Sequence, residues 1–303
     1  MTTLNTGTRE EQMAILQSNS LTGEQIAQVR TLEAVCARSD GAEARISLDN
    51  GINAERDMDS FFLLYEHDTL LGLVSVFAPT KDVAEISACV HPAHRLRGYF
   101  RRLLERASAE VSKYGYKKLL LVHEASTQDG KAVAQKWNLA VEHSEYRLRF
   151  TDAASFRGAR KLTVRPAREE DMAAMVGVSI DAFEESEEDA RRQIEKGFRD
   201  PTRKNYIALA DGETVGICGV STADPEQYLF GIGVASNRRG KGYGRDMLEQ
   251  VISLLRSESD RVIELEVDSE NARAFQLYIT SGFEVRSQYD YYEVGAAEFI
   301  GTD

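Results

Sequence analysis

The sequence predicts an α/β fold built as two tandem copies of one domain. Three observations predict it. Short apolar runs of strand length alternate with segments of helical periodicity along all 303 residues. The order of these segments occurs twice at a constant offset: Arg239 follows Arg95 by 144 positions (239 − 95 = 144), and the same offset carries Val90 to Val234, Gly98 to Gly242, Leu104 to Leu248 and Leu139 to Phe283. Each copy also turns from strand to helix through glycine and cations, at Arg95-Leu96-Arg97-Gly98-Tyr99-Phe100 and at Arg238-Arg239-Gly240-Lys241-Gly242-Tyr243-Gly244-Arg245. Chance seldom preserves strand, loop, helix and strand without a gap, so the chain reads as a repeat.

Taken in order, residues 1–20 are polar and weakly patterned and are expected to be a loose start. Ile26, Val29, Leu32 and Val35 predict a helix over 22–37. Residues 61–65 and 70–77 read as a hairpin around His67-Asp68-Thr69, and 84–90 as a third strand. Leu103, Leu104, Ala107 and Val111 mark one face of the next helix. A strand at 119–122, a short helix at 130–137 and a last strand at 146–150 complete the first domain, expected at residues 1–155. Residues 151–158 are small and polar and read as a linker. The second domain, expected at 160–303, opens on a strand at 161–166, and helices follow at 171–183 and 187–198. Residues 206–209 and 215–220 flank an Asp211-Gly212 turn, a strong hairpin signal. A strand at 228–234, the glycine loop and its helix, a strand at 262–267, a helix at 272–281 and a closing strand over 283–294 end the chain.

Hydrophobic content of 42% with 28% charged residues is that of a soluble globular protein. A net charge of −12 argues against a nucleic-acid partner, and no apolar run approaches a membrane span. The N-terminus has neither basic region nor apolar core of a secretory signal, and three cysteines without a Cys-x-x-Cys suit a reducing compartment, so a cytoplasmic location is expected. His91, His94 and His123 have no metal-ligand spacing, and no metal is expected.

The second glycine loop carries the chemistry. The first turn of a helix offers unpaired N–H groups and a partial positive charge, which suit a phosphate. Glycine lets the backbone approach the ligand. Two phosphate loops fail on the residues. Gly242 follows Lys241 where a nucleotide-triphosphate loop needs Ser or Thr, and Arg245 stands where the dinucleotide fingerprint needs glycine. Arg239-Gly240-Lys241-Gly242-Tyr243-Gly244 matches a third pattern, Arg/Gln-x-x-Gly-x-Gly/Ala, when Arg239 is read as its first residue. The chain thereby resembles the GCN5-related N-acetyltransferases, moderately in its first half and strongly in its second. The resemblance implies two acyl-CoA N-acyltransferase domains, each a twisted, mostly antiparallel sheet flanked by helices. It implies acetyl-coenzyme A as cosubstrate, with Arg239, Gly240, Lys241, Gly242, Tyr243, Gly244 and Arg245 at its pyrophosphate. Ile232, Gly233 and Val234 match the strand whose free backbone groups pair with the pantetheine arm. From the residues alone, Gly231 and Gly233 inside that strand mark either close ligand approach or packing.

Asn271-Ala272-Arg273-Ala274-Phe275-Gln276-Leu277-Tyr278, followed by Gly282-Phe283, resembles the family's second motif. By that resemblance Asn271 contacts the coenzyme and Tyr278 is the general acid for the leaving thiolate. A thiol near pKa ~8.5 and a phenol near ~10 make full proton transfer uphill by about 2 kcal/mol, so Tyr278 would chiefly donate a hydrogen bond as charge develops. The first half has Thr127 and Ala134 at these positions and Phe100 for the loop's last glycine, while keeping Arg95 and Gly98. The second domain is therefore expected to be catalytic and the first degenerate.

The resemblance implies a carboxylate base on the strand before the loop, but Tyr228 occupies that spot, and the base stays open among Glu226, Glu264, Glu266 and Asp268. The acidic run Glu184-Glu185-Ser186-Glu187-Glu188-Asp189 reads either as a helix start facing water or as an attraction for a cationic amine. The expected reaction is direct acetyl transfer from acetyl-coenzyme A to an amine of a small molecule or peptide. The alternative is a non-catalytic acetyl-coenzyme A sensor or interaction module. Neither a nucleic-acid nor a membrane partner is expected, and the resemblance leaves room for a homodimer.

Overall fold

Helix starts and hairpin turns follow the local chemistry of the chain. In the computed structural model, which describes residues 13–43, 46–151, 160–223 and 225–299, Thr22 and Gln25 form a reciprocal capping box at the start of α1 (Gly23–Asp40). Gly41 closes α1 in the left-handed region, with φ of 67°. The Asp211-Gly212 turn has φ of 51° and 82° at its two residues, the conformation a two-residue hairpin favours. The expected linker falls almost wholly on residues 152–159, outside the described residues.

The chain divides into two units. Unit 1 takes residues 1–143 and 289–303, and unit 2 takes residues 144–288. The sequence-based division put residues 144–151 with the first half and 289–299 with the second; the contacts group these the other way.

In unit 1 the sheet runs β1 (Met13–Ser18), β2 (Phe61–Glu66), β3 (Thr69–Phe77), β4 (Val83–Val90) and β5 (Lys118–Glu124), followed by the last residues of the chain's closing strand. β4 and β5 are parallel and the other pairs antiparallel. β1 replaces part of the expected loose start. Only Met13 and Ile15 reach the core, so its own pattern is faint; the backbone of β2 supplies its pairing. α2 (Tyr99–Lys113) buries Leu103, Leu104, Ala107 and Val111 completely. Burial of each of the two leucines and the valine contributes roughly 1.5–3 kcal/mol. α1 packs Val29, Leu32 and Cys36 on another cluster, with Phe61, Leu63 and Leu73.

Unit 2 repeats the plan with β6 (His143–Phe150), β7 (Thr163–Pro166), β8 (Arg203–Ala210), β9 (Glu213–Ser221), β10 (Gln227–Val234) and β11 (Ile263–Asp268), in the order β6-β11-β10-β9-β8-β7. Its helices are α4 (Met172–Phe183), α5 (Glu187–Arg199), α6 (Tyr243–Glu258) and α7 (Ala272–Thr280); α3 (Gln128–Lys136) belongs to unit 1. α6 and α7 cover one core cluster, and α4 and α5 another.

Two strands carry the regrouping. β6, expected to close the first domain, pairs antiparallel with β11 of unit 2. Its sequence explains why. Leu148 and Phe150 enter the unit 2 core, while Arg147 and Arg149 each grip Glu264, which is 1% exposed. β12 (Phe283–Gly295) starts in unit 2, and residues 289–295 pair with β5 in unit 1, burying Tyr292 and Val294. Glu264→Ala should cost about 3 kcal/mol in urea unfolding, because the ion pairs that Arg147 and Arg149 make to a buried carboxylate are lost. A loss under 1 kcal/mol would mean that the two arginines do not hold β6 in place.

Candidate functional site

Unit 2 opens its sheet at the glycine loop. β10 pairs in parallel with β11 only at Gln227, Tyr228 and Leu229. Beyond Leu229 no pairing with β11 exists among the described residues, so that edge of β10 is free. On the other side, the register with β9 shifts between Phe230 and Gly233. The bulge falls on Gly231, whose φ of 55° suits glycine and around which a Cβ would find open space. Gly233 has another cause. A Cβ there would lie 2.9 Å from the Phe183 ring and 3.0 Å from Ala182. Of the two strand glycines, one shapes a bulge and the other admits α4. In unit 1 the β3–β4 register is unbroken and the parallel β4–β5 pairing runs from Val83 to Ser87.

β10 leads through a short 3₁₀ turn into the loop. Gly240 and Gly242 have φ of 78° and 82°, and Gly242 is the N-cap of α6 without any side-chain cap. The first backbone bond of α6 is from the Asp246 amide to the Gly242 carbonyl. The amides of Tyr243, Gly244 and Arg245 precede it and have no acceptor within the helix. Asp246 in turn accepts from the amides of Lys161 and Leu162, which fixes the start of β7 beside the loop.

The four cations of the loop differ in what they touch. Arg239 donates to the carbonyls of Val234 and Ala182, each at 3.1 Å, so it braces the loop against β10 and α4. Arg245 donates to Thr280 at the end of α7, and Arg238 pairs with Glu213. Lys241 is exposed, and its ammonium has no partner among the described residues. Sequence reasoning missed a further cation. The Lys161 ammonium donates to the Lys241 carbonyl at 2.8 Å and lies 3.3 Å from where a Cβ of Gly242 would be. It stands 80 residues upstream of its partner, with no local signal of its role.

Asn271 is the N-cap of α7; its side-chain oxygen accepts from the Ala274 amide at 3.1 Å, which leaves its NH₂ free to donate outward. Tyr278 is 7% exposed, its ring 6.0 Å from that of Phe283. Burial raises its hydroxyl well above the usual phenol range, with a smaller push from Cys218. The hydroxyl has no partner among the described residues, so it is a protonated donor free for a ligand. Burial also lifts the Cys218 thiol to about 12, so it stays neutral and cannot act as a thiolate nucleophile near pH 7.

Among the base candidates, Glu264 is removed by its two arginines. Glu266 accepts from the Tyr228 hydroxyl at 3.0 Å, and burial raises both groups. A cavity of about 310 Å³ lies by the bulge. Phe230, Gly231, Ile217 and Cys218 line it from the sheet, and Met175, Ser179, Phe183, Glu185, Gln193 and Ile194 from α4, α5 and their junction. The acidic run thus divides. Ser186 caps α5, and Glu187 and Asp189 pair with Arg191 and Arg192, which is the water-facing helix start. Glu185 instead lines the cavity and accepts from the Ser179 hydroxyl.

In unit 1 the β4–β5 pairing continues to Ser87, two residues further than its counterpart in unit 2, and the loop that follows differs. Arg95 is held by Asp40 and Asp129, which raise it above its ordinary range. Leu96 stands where Gly240 is, with φ of 60°, and Phe100 stacks on Trp137, which in turn meets Phe299. Among the described residues no group of three His, Cys, Asp or Glu side chains is arranged to hold a metal, and no helix is long and apolar enough to cross a membrane.

A splayed parallel strand pair with a glycine loop opening a helix defines an acyltransferase architecture, and comparison with known proteins agrees. The model of the acetyltransferase (GNAT) family matches residues 26–136 and again 166–283. The chain belongs to that family, as a tandem member with two such domains. Among curated proteins it is similar to the mycothiol acetyltransferase of Kineococcus radiotolerans, at 29% identity over 275 residues, 84% of this chain and 88% of that protein. It is also similar to that of Thermomonospora curvata, at 28% over 292 residues, covering 90% and 95%. Among solved structures it resembles a GCN5-related N-acetyltransferase from Sphaerobacter thermophilus, with TM-score 0.73, 16% identity and coverage of 93% and 96%. A tandem GNAT protein from the clavulanic acid biosynthesis pathway matches with TM-score 0.71, 17% identity and coverage of 94% and 98%. These two likenesses concern the fold.

Proposed function

We propose that unit 2 transfers an acetyl group from acetyl-coenzyme A directly to an amine of a small molecule. The observation that carries this reading is the α6 N-terminus: three unpaired amides behind two left-handed glycines, with Lys241 and Lys161 beside them. That arrangement suits a pyrophosphate. The free edge of β10, including Ile232, Gly233 and Val234, suits the amide-bearing arm that follows. Asn271 donates to the same arm. The amine attacks the thioester carbonyl, the C–S bond breaks, and Tyr278 hydrogen-bonds the departing thiolate before giving it a proton; the proton that the nitrogen sheds on becoming an amide passes to solvent and the tyrosine regains one from it. Relatives named mycothiol acetyltransferases support a small-molecule acceptor. Three unpaired cysteines support a reducing, cytoplasmic setting.

Titration calorimetry with acetyl-coenzyme A should give one site per chain, since Arg95 and Phe100 close the equivalent place in unit 1. Two equal sites would remove the distinction between the units, and none would remove the proposed activity.

A further inference from the structure

Resting on that reading, we infer that the cavity beside Gly231 selects an acceptor that enters as an ammonium ion with an apolar body, and that Glu185 is the group that reads its charge. The lining is apolar along most of its wall, at Met175, Phe183, Ile194, Ile217 and Phe230. One carboxylate, Glu185, stands in that wall. Every other described acid of the run 184–189 that makes an ion pair does so with an arginine of α5. Glu185 is bonded only to the Ser179 hydroxyl, and no cation pairs with it among the described residues. A carboxylate on an apolar wall, half-buried and without a counter-charge, is a poor arrangement for the empty fold and a good one for a cationic ligand.

The surroundings agree with a cation. Arg203 is the arginine near the wall, 4.9 Å from the Phe230 ring, yet it does not line the cavity and faces Asp200. Gln193 and Asn205 add neutral polar contacts along the lining. The cavity also reaches Phe230 and Gly231 at the bulge, just past the last residue of β10 that pairs with β11. An ammonium held by Glu185 would share the cavity with that bulge. Before attack the ammonium must lose one proton. Glu185 accepts it, directly or through a water, and the neutral amine then forms the C–N bond as the C–S bond breaks; the second N–H proton leaves to solvent as the amide forms, and the thiolate takes its proton from Tyr278. Glu185 is thus both the specificity group and the proton acceptor for the step.

The test compares two probes of equal shape, 2-phenylethylamine and 2-phenylethanol, with coenzyme A present so that no acetyl transfer occurs. Competition or calorimetry on the full chain should show the cationic probe binding at least about tenfold tighter. Glu185→Gln should abolish the preference and leave the coenzyme A affinity unchanged. Glu185→Asp should restore part of it. Equal binding of the two probes by the unaltered chain overturns the inference, as does a preference retained in Glu185→Gln. Both results are independent of whether the variant is less stable, because the ratio is measured within one protein. Coenzyme binding with no charge preference sinks this inference alone; absent coenzyme binding sinks the proposed function itself.

Discussion

Tyr278→Phe should lower the rate of thiol release about 100-fold, at an almost unchanged KM for acetyl-coenzyme A. General acid and hydrogen-bond assistance to a leaving group contributes about 10²–10⁴-fold, and the lower end fits a group that mainly donates rather than fully transfers its proton. The structure sets that limit. Burial raises the Tyr278 hydroxyl further above a thiol than an exposed phenol would be. In the proposed reaction the proton would therefore stay on oxygen while the C–S bond stretches, and the donated hydrogen bond would do the stabilising. The same direction fixes the pH dependence. A raised phenol remains protonated from pH 7 through at least about 10, so the donor is present across that range and the rate has no downward limb from Tyr278. The ring keeps its contact with Phe283 in the variant, so stability should change by only a fraction of a kcal/mol, read by thermal unfolding. A thiol-release rate equal to the parent's would take Tyr278 out of the reaction.

How much of this was legible in the sequence depends on the range of the interaction. The glycine loop was legible because φ above zero and helix start are set within a few residues. The tandem plan was legible because the offset repeats through four successive segments. The α7 motif was legible for the same local reason. The partner of β6 was not. Its pattern predicts a strand, but which sheet receives it is settled by Glu264 meeting Arg147 and Arg149, more than a hundred residues away in sequence. β1 failed for a different reason: an edge strand borrows its pairing from a stronger neighbour, so its own alternation can be faint. Lys161 gave no signal because a single lysine at a domain's start is ordinary until Asp246 fixes it beside Lys241. Glu185 was hidden among acids of similar appearance, and only the arginines that take its neighbours set it apart. Arg239 matched its motif, yet its guanidinium braces carbonyls, so a motif position and a ligand contact are different statements.

Gly244→Phe should weaken acetyl-coenzyme A binding at least about 100-fold while leaving the fold intact. The chain itself contains the precedent. Position 244 corresponds to Phe100 in unit 1 (244 − 144 = 100), where the ring stacks on Trp137 at the head of α2. In unit 2 a Cβ at Gly244 would meet Leu277 at 3.4 Å, an ordinary contact, and Gly244 has no left-handed φ to strain. A Cβ there is therefore accommodated, and the prediction is that the ring beyond it covers the first-turn amides of α6. Two charge-assisted bonds to a pyrophosphate, at about 1.5–3 kcal/mol each, account for the expected loss. The melting temperature should move by only a few degrees. The reverse change, Phe100→Gly, should not create a second site, because Asp40 and Asp129 still hold Arg95 and Leu96 still occupies the place of Gly240. Calorimetry on both variants separates the causes. Unchanged affinity in Gly244→Phe would mean that the pyrophosphate does not lie on the α6 N-terminus. A second site in Phe100→Gly would mean that one aromatic ring, rather than the bound arginine, is what closes unit 1.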